Sequence, residues 1–220
     1  MQSGFKAMIF DMDGTLLDSM FYWRSIWREY VNEHGLVMPE ELKDKVICGC
    51  GKACDFIARD NNLDRPALYA AMLEEMLARH YRTDVYPKPF APEMLRKFKQ
   101  AGYPVVVATA TPRHLAAPAL ARHDMLQYVD FVTDVREMGA QKSSPDFFLN
   151  VARRLNLAPN ECVMFEDAVY AIRSAKAAGM AVCAIDEPIS YPDKEEIKAL
   201  ADRYIMGWRE IVEEREFTIQ

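Results

Sequence analysis

The sequence predicts an α/β protein, a parallel sheet covered by helices and interrupted by an all-helical insertion. Three observations carry this. Apolar runs of four or five residues without alternation recur at 7–10, 105–108, 162–165 and 181–185, as expected of strands buried on both faces. Helix-opening signals lie between most of these runs, which gives the strand–helix alternation of an open sheet. Residues 17–88 break the rhythm, with several helix patterns and no strand signal.

Taken in order, the run at 7–10 is too short for a helix and stops at the acidic turn Asp11-Met12-Asp13-Gly14. In the insertion, Met20, Trp23, Trp27, Tyr30 and Val31 share one helical face, and Gly35 ends that helix. Pro39-Glu40-Glu41 opens a second, short helix, and Pro66 after Asp64 opens a longer one bearing Leu68, Met72, Met76 and Leu77. The prolines of Val85-Tyr86-Pro87-Lys88-Pro89 stiffen a return crossing. Further helices are expected near Pro92, at Pro112 capped by Thr111, at Pro145 capped by Ser144, and from Ala168 towards Gly179. Weaker strand signals stand at 131–133 and 204–206. The expected division is an α/β core over 1–16 and 89–220 with a helical cap over 17–88. About 150 residues suffice for such a core, and the insertion accounts for the surplus.

Composition narrows the function. Of 220 residues, 50% are hydrophobic and 27% charged, as in a globular protein. Lys and Arg number 27 against 33 Asp and Glu, and a net charge of −6 argues against nucleic acid or an anionic membrane as partner. No apolar run approaches the roughly 18 residues of a membrane span. The five cysteines form no even disulfide framework, and residues 1–6 lack the layout of a secretory signal. A reduced, cytoplasmic protein is expected. The sequence carries no signature of oligomeric state.

In an open α/β sheet, ligands bind beyond the carboxyl ends of the strands. The residues there are Asp11 and Asp13 after the first run, Thr109 after the second, and Glu166 and Asp167 after the run at 162–165. Four carboxylates gathered at one sheet end repel unless a cation joins them. Oxygen ligands without a His/Cys set suit a hard cation such as Mg²⁺. The Asp13-Gly14 turn and the helix starts after Thr109 and Ser144 offer N–H groups to an anion. Cation and anion sites together are the equipment of phosphoryl transfer.

These residues carry a family resemblance. Phe10-Asp11-Met12-Asp13-Gly14-Thr15-Leu16-Leu17-Asp18-Ser19 resembles the first motif of the haloacid-dehalogenase superfamily. Thr109, Lys142 in Gln141-Lys142-Ser143-Ser144-Pro145, and Glu166-Asp167 resemble its second, third and fourth motifs, in order. The resemblance covers nearly the whole chain and implies a Rossmann-like core with a C1-type cap. Departures are Ser143 for the first proline of Lys-Pro-x-Pro, Ala168 and Ala171 where Ser and Gly are frequent, and Phe90 where glycine is common. None removes a catalytic functional group.

The resemblance implies a Mg²⁺-dependent phosphatase acting on a small phosphorylated metabolite through an aspartyl-phosphate intermediate. It makes Asp11 the nucleophile and Asp13 the acid and base. It assigns Mg²⁺ to Asp11, the Asp13 carbonyl and Asp167, with Glu166 orienting Lys142 or a metal-bound water. Thr109, Ala110 and Lys142 would bind the phosphoryl oxygens. Gly49-Cys50-Gly51-Lys52 resembles a cap specificity loop, so Lys52 is either a substrate contact or a solvated lysine. A sugar phosphomutase of the β-phosphoglucomutase type is the alternative, but its first cap helix usually carries a histidine where Trp23 stands. A catalytically silent binding domain would have lost some of these residues.

Other features read as structure. Cys48, Cys50 and Cys54 leave a tetrahedral zinc site one ligand short. Trp23 and Trp27 read as packing, although Phe21, Tyr22 or Trp23 could reach a substrate. Asp186 reads as a loop carboxylate, and His114 as solvated or structural.

Overall fold

A computed structural model describes residues 4–219. Residues 1–3 and 220, the outer ends of the expected core, lie outside the described residues. Strand β1 (Ala7–Phe10) precedes helices α1 (Met20–Glu33), α2 (Cys50–Asn61), α3 (Arg65–Ala71) and α4 (Ala78–Thr83). Then come α5 (Ala91–Gln100), β2 (Val105–Thr109), α6 (Arg113–Ala121), β3 (Phe131–Asp134), α7 (Val135–Met138) and α8 (Pro145–Arg154). The chain continues with β4 (Cys162–Glu166), α9 (Val169–Ala177), β5 (Ala181–Ile185), α10 (Lys194–Leu200), β6 (Arg203–Ile205) and α11 (Trp208–Glu213).

The sheet is six-stranded and parallel, in the order β3-β2-β1-β4-β5-β6. Strand order reverses between β1 and β4, where such sheets hold their ligands. All four residues of β1 are fully buried, which is why its sequence shows no alternation. One face packs Ile9, Val106 and Met164 against Phe147, Phe148 and Ile172 of the covering helices. The other face carries an aromatic cluster. Phe10 and Phe165, paired in register, stack at 4.5 Å, and Phe98, Trp208 and Phe217 close around them.

The chain divides into two compact units, one of them Ser19–Val85, the other ending its first segment at Asp18 and resuming at Tyr86. Leu17, Asp18 and Tyr86–Lys88, assigned by the sequence to the cap, are tied to the α/β unit. The Asp18 N–H donates to the Tyr86 carbonyl at 2.9 Å, the Lys88 N–H to the Leu16 carbonyl at 2.9 Å, and Leu17 bridges Pro87.

Within Ser19–Val85, α3 and α4 are one continuous helix whose centre, Met72–Leu77, is π-helical. Of the expected face of α1, Trp27 and Val31 are buried while Met20, Trp23 and Tyr30 remain half-buried. Helix α2 is a correction: the stretch read as a glycine loop at 49–52 opens a helix. Gly49 is its N-cap, and Ala53, Cys54, Ile57 and Ala58 form its buried face. The three nearby cysteines are free and buried, in keeping with a structural role.

In the α/β unit, Ser144 caps α8 as expected, accepting from the Asp146 N–H at 3.3 Å. Helix α6 starts one residue later than expected, with Pro112 rather than Thr111 at its N-cap. Phe90 takes φ +67 at the N-cap of α5, a left-handed conformation costing a side-chain-bearing residue about 1–2 kcal/mol. Asp186 proves a structural anchor: it accepts from the Tyr191 and Tyr204 hydroxyls and from Lys194 at 3.0, 2.5 and 2.7 Å.

The aromatic face gives a stability test. Phe98 is 2% exposed and packs on Phe10, Phe165 and Phe217. Phe98→Ala is expected to cost about 3–5 kcal/mol in a urea titration. A loss below 1 kcal/mol would show that this cluster does not hold the sheet.

Candidate active site

The loop after β1 is fixed by its own backbone. The Asp11 N–H donates to the Phe165 carbonyl of β4 at 2.9 Å, so Asp11 leaves the sheet beside Glu166 and Asp167. The Leu16 and Leu17 N–H groups both reach the Met12 carbonyl at 2.8 Å. Gly14 sits at φ +85, open to glycine at little cost, and gives its N–H to the Leu17 carbonyl at 2.9 Å. That N–H is thus taken within the loop, and two N–H groups between β2 and the first turn of α6 are taken likewise. The Thr111 N–H goes to Thr109 Oγ1 at 3.0 Å and the Arg113 N–H to Asp134 Oδ2 at 2.8 Å.

Charge gathers at the ends of β1 and β4. Asp11, Glu166 and Asp167 are at most 5% exposed, and each offers an oxygen within 4.8 Å of the others. Among the described residues they are the only group of three or more potential metal-ligating side chains. Lys142, 3% exposed, enters from the segment between α7 and α8 and donates to Asp11 Oδ1 at 2.6 Å and Glu166 Oε2 at 2.5 Å. Glu166 Oε1 accepts from the Asp167 and Ala168 N–H groups at 3.2 and 3.1 Å. Both oxygens of Glu166 are therefore held by protein donors.

Burial, then Glu166, push the Asp11 carboxyl up to about 8, with Lys142 pulling the other way. Burial, Glu166 and Asp11 raise Asp167 well above the usual carboxylate range. Burial opposes the Lys142 ammonium, yet Asp11 and Glu166 outweigh it and hold its pKa above the ordinary lysine value. Three carboxylates against one ammonium leave an excess of two negative charges when all are ionised. Asp167 Oδ1 accepts from Thr15 Oγ1 at 3.0 Å, but its Oδ2 is buried without a hydrogen-bond partner. A buried orphan oxygen, an all-oxygen donor set and that excess charge fit a hard divalent cation.

Thr109, 1% exposed, ends β2, and Ala110, exposed, follows it. Asp13 is half-buried, and its Oδ2 accepts from Thr111 Oγ1 at 2.6 Å. Lys52 is exposed in the first turn of α2, in the Ser19–Val85 unit. The sequence assigns no place in the site to three residues that touch the candidate side chains or brace their loop. Thr15 lay unused within the first motif, and Thr111 was read as a helix cap. Trp208, whose Nε1 donates to the Thr15 carbonyl at 2.9 Å across 193 positions, gave no local signal.

The chain matches a family model described as haloacid dehalogenase-like hydrolase over residues 5–179. It is 32% identical over 186 residues to the fructose-1-phosphate phosphatase YqaB of Escherichia coli K12, covering 82% of this chain and 96% of that protein. With hexitol phosphatase A of the same organism it shares 30% identity over 199 residues, covering 87% and 88%. The solved structure of CbbY from Rhodobacter sphaeroides in complex with phosphate shares the fold, with a TM-score of 0.76 at 22% identity over 94% of this chain and 96% of that one.

The cluster has a consequence for stability. A folded pKa near 8 for Asp11 means that the folded state binds its proton more tightly than the unfolded chain does. Its contribution is fully present below the unfolded pKa and is lost as pH rises through about 8. In chelator-treated protein, the thermal midpoint should therefore fall more steeply between pH 6 and 9 than in Asp11→Asn. Matching slopes in the two proteins would contradict the arrangement.

Proposed function

Since the chain belongs to the haloacid dehalogenase-like hydrolases, we propose that it is a Mg²⁺-dependent phosphatase that cleaves small phosphorylated carbohydrates through an aspartyl-phosphate intermediate. The observation that carries the reading is the buried triad Asp11, Glu166 and Asp167 with Lys142 bonded to two of its members. The names of the relatives support the substrate class, since one is a fructose-1-phosphate phosphatase and another a hexitol phosphatase. The proposal includes a cytoplasmic location, in keeping with free, buried cysteines.

In this reading Asp11, Asp167 and the Asp13 carbonyl hold Mg²⁺, and Glu166 braces Lys142 from behind. When bound, Mg²⁺ supplies positive charge that offsets the repulsion between a carboxylate and a phosphate dianion. Lys142 fixes Asp11 through Oδ1 and offers its ammonium to the phosphoryl oxygens. The Thr109 hydroxyl accepts from the Thr111 N–H, which directs its own proton elsewhere, towards the phosphoryl group. Ala110 lines the same end of β2. Asp11 attacks phosphorus while Asp13 protonates the departing oxygen, and Asp13 then takes a proton from the attacking water. Lys52 belongs to the proposal as a substrate contact. No histidine occurs within α1, and Trp23 donates to the Tyr81 hydroxyl, which favours hydrolysis over the mutase reading.

The test is phosphate release from a panel of sugar, polyol and other phosphomonoesters, with Mg²⁺ and after chelation. Release should require Mg²⁺ and favour the sugar and polyol esters, and Asp11→Asn should lower kcat by about 10³-fold or more. Release that survives chelation or the Asp11→Asn substitution would overturn the proposal.

A further inference from the structure

We propose that Thr111 is a positioning residue that holds the carboxyl group of Asp13 in orientation for proton transfer to the leaving oxygen. This deepens the phosphatase reading and rests on Asp13 acting as the acid. Thr111 is fully buried, and its hydroxyl lies 2.6 Å from Asp13 Oδ2, joining the loop after β2 to the loop after β1 across 98 positions. A carboxylate only accepts hydrogen bonds, so the hydroxyl donates, and a bond to an ionised acceptor is of the stronger kind.

The surroundings assign the hydroxyl to this role. A threonine before a proline ordinarily caps the helix that follows, by accepting from an N–H of its first turn. Here Pro112 occupies the N-cap of α6, and Asp134 Oδ2 accepts the Arg113 N–H at 2.8 Å. The cap is thus supplied by another strand end, and the Thr111 hydroxyl is turned to Asp13. The Thr111 main chain is held as well, its N–H on Thr109 Oγ1 at 3.0 Å. A β-branched side chain on a pinned backbone has few rotamers.

An aspartate carboxyl turns about two single bonds, and a general acid must present its proton within hydrogen-bond reach of the departing oxygen. Anchoring Oδ2 removes that freedom and assigns the transferable proton to Oδ1. In the first half-reaction a bond forms between Asp11 and phosphorus while the bond from phosphorus to the ester oxygen breaks. The electron pair stays on that oxygen, which takes the proton from Asp13. In the second half a water gives a proton to Asp13 and attacks phosphorus, and Asp11 departs as a carboxylate.

Acid catalysis matters in proportion to the basicity of the leaving group, and the test uses this. Thr111→Val keeps the branched shape and the main-chain N–H but removes the hydroxyl. The readout is kcat/KM, which reports only the steps up to alcohol departure, for the best sugar phosphate of the panel and for 4-nitrophenyl phosphate, whose leaving group needs no proton. The expected loss is about 10- to 100-fold on the sugar phosphate and under about 3-fold on the aryl ester, with Thr111→Ser restoring most of it. Equal losses on both esters, unchanged kinetics, or a serine variant no better than valine would overturn the inference. If circular dichroism shows Thr111→Val unfolded, Thr111→Ala is read by the same criteria. Asp13→Asn run beside them separates the two levels: if it cleaves both esters like the unaltered protein, the reading of Asp13 itself fails. If Asp13→Asn loses the sugar phosphate alone and Thr111→Val does not, only the role of Thr111 fails.

Discussion

Three carboxyl groups facing one ammonium, buried at the carboxyl end of a parallel sheet, are the constraint around which this molecule is arranged, since full ionisation would leave two negative charges in excess. Asp11, Glu166 and Asp167 face one ammonium, Lys142, and all four side chains are nearly inaccessible. Buried charge is tolerated where it is paired and hydrogen-bonded, and the protein supplies most of that pairing but not all. Lys142 serves Asp11 and Glu166 together, two N–H groups serve Glu166, and Thr15 serves one oxygen of Asp167. The remaining deficit, two charges on full ionisation and the orphaned Asp167 Oδ2, is of the size a divalent cation makes good. Glu166, satisfied on both oxygens, is the least available of the three as a direct ligand.

The fold bears on this constraint at long range. Register places Phe10 beside Phe165, so the residues that follow, Asp11 and Glu166, emerge from adjacent strands. The stacked rings beneath them make that register costly to shift, since slipping one strand by a residue would turn its side chains to the opposite face. The loop after β1 is then braced from the far end of the chain by Trp208, through the Thr15 carbonyl, while Thr15 itself holds Asp167. Asp13 is braced in turn from the end of β2. Asp11 and Asp13, two positions apart, are thus fixed by different parts of the molecule.

Much of this was legible in the sequence, because buried parallel strands write themselves as unbroken apolar runs. β1 and β5 fall on the expected residues, and β2 and β4 each gain one polar residue at the carboxyl end, Thr109 and Glu166. Those added residues are both among the candidate site residues. Most of what escaped was of two kinds. A local rule was overridden at Thr111, where Pro112 took the cap position and a carboxylate 98 positions away took the hydroxyl. A local signal was too faint at α2, whose first turn contains Gly51 and looks like a loop until its buried face at Ala53, Cys54 and Ile57 is seen. Trp208 and Thr15 belong to neither kind, since their bond is purely tertiary. At Phe90, where the sequence lacks the family's frequent glycine, the backbone keeps a glycine-like φ of +67, with Arg209 lying over the ring at 5.5 Å.

If one divalent cation balances the buried carboxylates, calorimetric titration of Mg²⁺ into chelator-treated protein will register it. Run at pH 7 in buffers of differing ionisation enthalpy, the titration counts both ions bound and protons displaced. With the Asp11 carboxyl pushed up to about 8 and Asp167 also raised in the cation-free protein, binding should take up one ion per chain and release about one proton or more. Asp167→Asn should weaken that binding by about 10-fold or more. Binding without proton release, or binding that Asp167→Asn leaves unchanged, would contradict a cation held by this cluster.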